Sequence, residues 1–179
     1  TDCAMLTEAF VKQCKYVIGS KNGSHIICHA EPDLPVNVSG KRLHFLMLCL
    51  LVEIFRNSSE VLRIVINGEE NNGIITIGIS ASPVGETPDI PPLLSRSTPI
   101  HKDSPEFANC GTILEAFQNK YSCKISKYTF LGNIGYRICL PAADISQGIH
   151  LSSNGICRTD YMISPYHAML FDISDFRYY

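Results

Sequence analysis

Features that would declare a function outright are missing from this sequence. The longest apolar run, Leu43 to Val52, is interrupted by His44 and closed by Glu53. It falls well short of the ~20 residues that cross a bilayer, which excludes a membrane-spanning helix. Basic residues are scattered rather than clustered, and the formal net charge is −2, so there is no electrostatic footprint for nucleic acid. Eight cysteines are present (Cys3, Cys14, Cys28, Cys49, Cys110, Cys123, Cys139, Cys157), but no two have the CxxC spacing of a zinc or redox site. Neither a nucleophile elbow nor a paired Ser/His/Asp or Cys/His motif supports covalent catalysis. Internal repeats are absent. No signal peptide is visible at the start, where Asp2 and Glu8 accompany the apolar residues; the opening on Thr1 reads as that of an excised piece.

What remains is the balance of an ordinary folded domain. Apolar residues make up 45% of the 179 and charged residues 18%, enough to bury a real core in one domain with or without an appendage. Most of the cysteines sit inside apolar runs, where a free thiol behaves as a small hydrophobe, so the chain reads as the product of a reducing compartment. The Asn-x-Ser tripeptides at Asn22, Asn37 and Asn57 are taken as chance occurrences.

Residues 2–17 place Leu6, Phe10, Val11, Cys14 and Val17 at helical spacing, with Thr1 or Asp2 available as a cap. After a turn at 20–23, residues 25–30 read as a short buried strand, followed by a Pro-bounded loop. Lys41 to Asn57 is apolar on nearly every side without Gly or Pro, as a helix packed between a sheet and other helices must be. Residues 61–68 and 74–80 read as two strands joined by a polar hairpin. Residues 81–105 carry six of the ten prolines (Pro83, Pro88, Pro91, Pro92, Pro99, Pro105) and little periodicity, so they read as a long loop. Residues 110–121 predict a helix with Ile113, Leu114, Phe117 and Tyr121 on one face. Residues 123–130 and 134–141 predict two further strands about a turn at Leu131-Gly132-Asn133. The expected fold is α+β: a two-layer α/β sandwich, with a mixed, mostly antiparallel sheet and helices on one face. Residues 1–143 form its domain, and 144–179, with an aromatic end at Phe176-Arg177-Tyr178-Tyr179, form a C-terminal appendage.

Three pieces carry a resemblance to a known family. Glu31-Pro-Asp-Leu-Pro35 followed by Lys41-Arg-Leu is similar to the phrase "DPDLP" that precedes "D-x-x-R-L" at the entry to a nucleotide-binding helix. Glu53-Ile-Phe-Arg-Asn57 stands in the register of the N-L-x-x-N-A segment of that helix. Gly132-Asn-Ile-Gly135-Tyr-Arg-Ile-Cys-Leu-Pro141 resembles a closing strand that ends in Leu-Pro. Together with the element order they resemble the catalytic and ATP-binding domain of sensor histidine kinases, the Bergerat (GHKL, HATPase) fold, over roughly residues 2–141.

That resemblance implies ATP and Mg²⁺ as ligands. It casts Glu53 as the catalytic residue orienting a water, and Asn57, one helical turn away, as an oxygen donor to Mg²⁺ bridging the phosphates. The departures are as informative. The family's Asp-x-Gly-x-Gly, whose aspartate accepts the adenine amino group, is replaced within Ile79-Ser-Ala-Ser-Pro-Val-Gly85, leaving Ser80 or Ser82 as stand-in and Gly85 as the surviving glycine. The Gly-x-Gly turn that holds phosphates at a helix N-terminus is replaced by Ala108-Asn-Cys-Gly111, which keeps Gly111 alone. None of His25, His29, His44, His101, His150 and His167 stands in the H-E-x-x-x-P context of a phospho-accepting histidine.

The resulting expectation is a degenerate histidine-kinase-like signalling module of two-component systems. It is cytoplasmic, has weak or no ATP binding, and acts through protein contacts with a response regulator or a kinase dimerisation region. A divergent but active ATP-binding domain and an unrelated α+β binding module are the alternatives. A further expectation is that the appendage packs across the emptied nucleotide pocket.

Overall fold

A computed structural model of the chain describes residues 1–18, 25–57, 62–84, 97–99, 111–130 and 133–144. In order along the chain these form α1 (Cys3–Ile18), β1 (His25–Ala30), α2 (Gly40–Arg56), β2 (Leu62–Asn71), β3 (Ile74–Pro83), β4 (Ser97–Pro99), α3 (Gly111–Tyr121), β5 (Lys124–Phe130) and β6 (Asn133–Pro141). The strands make one six-stranded sheet in the order β1-β2-β3-β6-β5-β4. Only β1 and β2 run parallel, joined through α2; the other neighbours are antiparallel. The α+β expectation therefore holds.

Helix α2 organises the domain. It carries five leucines (Leu43, Leu46, Leu48, Leu50, Leu51) and Met47, good helix formers without β-branching. Leu43 and every residue from Leu46 to Ile54 are buried. Burying a Leu side chain stabilises by ~1.5–3 kcal/mol, so this helix is the largest single apolar contribution to the core. At its start, Gly40 lies close to Leu6 of α1: a Cβ added there would stand 3.2 Å from Leu6 Cδ1. Helix α1 is capped by Asp2, whose Oδ1 accepts from Ala4 N at 2.9 Å, and it buries Leu6, Phe10, Val11 and Cys14.

Alternation along each strand assigns the two faces of the sheet. Ile26, Ile64, Ile66, Ile75, Ile77, Ile79, Ala81, Ile125, Tyr136, Ile138 and Leu140 join the helices in one core cluster. Their intervening neighbours therefore look to the opposite face. The β2–β3 turn is Asn72-Gly73, with φ of 52° and 75°, the left-handed pair that a two-residue hairpin loop requires.

Three expectations are corrected. Residues 81–105 are not loop throughout: β3 continues to Pro83, and Ser97–Pro99 pairs with Ser126–Tyr128 of β5. The physical reason is tertiary, since edge pairing supplies the hydrogen bonds that a three-residue strand lacks any local signal for. Strand β1 is an edge strand rather than a buried one, and Ile26 is its only fully buried residue. On α3, Leu114 and Phe117 are buried and Tyr121 is half-buried, but Ile113 is 43% exposed because it sits ~100° round the helix from Leu114. The region 145–179, including the aromatic end, lies outside the described residues.

No disulfide forms among the described cysteines. Cys3, Cys14, Cys49 and Cys123 are buried, and burial pushes the Cys3 and Cys123 thiols up to about 12 and Cys14 higher still, as expected of inert core thiols. Cys110 and Cys157 lie outside the described residues. No helix among the described residues is long and apolar enough to cross a membrane.

Candidate functional site

The Glu31–Pro35 segment is built into the structure as a clamp. Asp33 takes φ of 58°, turning the chain so that Leu34 is buried and its carbonyl accepts from Cys3 N at 2.8 Å. Leu34 N in turn donates to Asp2 Oδ1 at 3.3 Å. Glu31 is tied to the β2–β3 ribbon, its N–H donating to Gly68 O and its Oε2 accepting from Glu70 N. Glu31 and Leu34 thus tie this phrase to the sheet and to the start of α1, while Pro35 O accepts from Ala143 N at 2.8 Å beyond the end of β6.

The C-terminal turn of α2 brings Glu53 and Asn57 together. Glu53 is 6% exposed and Asn57 is exposed. Asn57 Nδ2 donates to Glu53 Oε1 and to Glu53 O, both at 2.8 Å, while Asn57 N donates to Glu53 O at 3.2 Å. The four-residue spacing puts both side chains on one face, as expected, and there the Asn57 NH2 group donates to Glu53. Among the described residues, no group of three or more His, Cys, Asp and Glu could hold a metal ion.

The phase of β3 decides what could meet an adenine. Glu53 and Asn57 lie on α2, so a nucleotide held by them would meet the sheet face that packs on the helices. On that face Ile75, Ile77 and Ile79 are followed by Ala81, a member of the core cluster. Ser80 and Ser82 point the other way, and Ser80 Oγ donates to Val65 O at 3.3 Å on the neighbouring strand. The apolar phase of the three isoleucines was the sequence signal that selects Ala81 over either serine. A methyl group offers an exocyclic amine no acceptor.

Gly111 opens α3 and is buried. Gly85 and residues 100–110, which include Ala108 to Cys110, lie outside the described residues, as do His101, His150 and His167. His25 and His29 are exposed on β1. His44 bridges the two helices: its Nε2 is 3.0 Å from Leu6 O and its ring is 5.8 Å from that of Phe10. Burial holds its pKa below the ordinary imidazole value.

Solved structures with the same architecture are catalytic domains of histidine kinases. The nucleotide-free catalytic domain of histidine kinase ThkA is matched at a TM-score of 0.55 and 15% identity, over 77% of this chain and 91% of that one. The chain has the fold of a histidine-kinase catalytic domain. The mycobacterial sensor histidine kinase MprB is similar at a TM-score of 0.54 and 13% identity, over 79% and 97% of the two chains. A ThkA structure in complex with the response regulator TrrA is matched at 0.55 and 12% identity, over 78% of this chain and 40% of that one. No protein-family model matches the sequence, and no curated protein does. At these identities the likeness is one of fold, so the histidine-kinase-like architecture holds while its chemistry must be argued from residues.

Proposed function

We propose that the chain is a signalling module of the two-component type in which a histidine-kinase catalytic fold serves protein contacts and binds ATP weakly or not at all. The observation that carries the reading is Ala81, which stands on the helix-facing side of β3 where the fold's adenine-anchoring aspartate is expected. On this reading the methyl group of Ala81 is a poor fit for the adenine of Mg²⁺-ATP. Response regulators or a kinase dimerisation region are the proposed partners, in line with the complex formed by ThkA, and the cytoplasm is the proposed location.

Thermal denaturation with and without ligand tests this reading. A ligand present at about a hundred times its dissociation constant stabilises by ~2.7 kcal/mol, which raises Tm by roughly 5–11 °C in a chain of this size. A shift below about 1 °C with millimolar Mg²⁺-ATP is expected; a shift near the upper figure would establish the divergent, active alternative.

A further inference from the structure

The face of the sheet turned away from the helices carries a second constellation, at the end of β2 opposite its acidic turn. In register, His25 of β1 pairs with Arg63 of β2, and Arg63 pairs with Ser82 of β3. Their neighbours Ile26, Ile64 and Ala81 belong to the helix-side core, so these three side chains stand in one row on the other face. Ser82 is 1% exposed and its Oγ has no hydrogen-bond partner. Arg63 Nε is buried and equally unpartnered.

Two buried, unsatisfied donors directly across a strand pair are not explained by packing. Nearly all buried polar atoms are satisfied, and a guanidinium N–H can only donate. Ser82 can donate as well, so the two ask for the same thing, an acceptor. Neither donor bonds to a carboxylate, and the acidic residues of β2 itself, Glu69 and Glu70, lie six and seven residues further along, ~20 Å away at strand rise. Cross-strand neighbours have their Cβ atoms ~5 Å apart, so the two side chains leave the sheet side by side, and one planar or tetrahedral group can set one oxygen on each donor. His25, exposed at the start of β1, adds a third group on the solvent side.

We propose that Arg63 and Ser82, flanked by His25, form an oxyanion-binding site for a carboxylate or phosphate group on the sheet face opposite the helices. The site is separate from the Glu53–Asn57 turn and stands whether or not a nucleotide binds there. The bound oxygens come from dissolved phosphate or from a carboxylate of the protein itself.

Nitrogen-15 spectra of arginine Nε–H groups in the 179-residue protein distinguish these sources. With phosphate as ligand, one Nε–H resonance, identified by its loss in Arg63→Lys, moves downfield and saturates as inorganic phosphate replaces chloride at constant ionic strength. Ser82→Ala then weakens the apparent affinity about tenfold, the loss of one hydrogen bond. With an internal carboxylate, the same resonance lies downfield before phosphate is added, and Ser82→Ala moves it upfield. Either pattern supports the site. An Arg63 Nε–H at the free-arginine position, unmoved by phosphate or acetate and indifferent to Ser82→Ala, overturns it. If Arg63→Lys does not fold, the wild-type and Ser82→Ala spectra decide between the same outcomes.

Discussion

Replacing Asn57 by alanine separates a structural role for the α2 terminus from a nucleotide-binding one. The substitution removes two side-chain hydrogen bonds at 2.8 Å, one to the carboxyl oxygen and one to the carbonyl of Glu53. A hydrogen bond to a carboxylate contributes ~1.5–3 kcal/mol and a neutral one ~0.5–1.5. Asn57 is itself exposed, so water replaces part of what is lost. Glu53, only 6% exposed, has less access to that replacement. The net expected cost is about 1–2 kcal/mol, a fall in Tm of roughly 2–8 °C. Urea unfolding followed by circular dichroism measures it. Glu53→Gln keeps an acceptor oxygen in the same place and is expected to cost less than about 1 kcal/mol. An Asn57→Ala protein within ~0.3 kcal/mol of wild type would refute the reasoning, because each hydrogen bond invoked is larger than that. So would a Glu53→Gln variant as damaged as Asn57→Ala.

Two further outcomes follow from the packing. Gly135→Ala would drive a Cβ into the ring of Tyr128, a residue 4% exposed that lies across Gly135 with the Arg137 guanidinium 5.5 Å from its ring centroid. The expected loss is ~1–3 kcal/mol, measured by urea unfolding, and removing the ring with Tyr128→Ala should make the second substitution nearly free of further cost. For His44, whose folded pKa is depressed by burial, the stabilisation is present above the ordinary imidazole pKa and is lost as pH falls, since the unfolded chain takes up a proton that the folded one resists. The urea midpoint should therefore fall between roughly pH 7.5 and pH 5.5, and His44→Gln should flatten that part of the dependence.

Much of the fold was legible because its signals are local. The unbroken apolar run of α2, the Asn72-Gly73 turn and the alternation of β6 each follow from residue types and spacing alone. Strand β4 was not legible, since its three residues are held by β5 and have no pattern of their own. Ile113 is exposed because adjacent apolar residues on a helix face different ways, and only packing decides which one is buried. At the candidate site, the closeness of Glu53 and Asn57 was legible from one turn of helix. That the Asn57 NH2 group donates to Glu53 was not, because it depends on rotamers. The place of Ala81 could have been read by carrying the phase of Ile75, Ile77 and Ile79 forward. The row formed by His25, Arg63 and Ser82 required the register of three strands, which no single segment encodes.

The central claim is that this fold is kept without a working nucleotide site. Calorimetric titration of the protein with a slowly hydrolysed ATP analogue and Mg²⁺, repeated on Asn57→Ala, tests it most directly. The account predicts no saturable heat from either protein with ligand at millimolar concentration. Binding at micromolar strength, worth ~8 kcal/mol and abolished by Asn57→Ala, would contradict it.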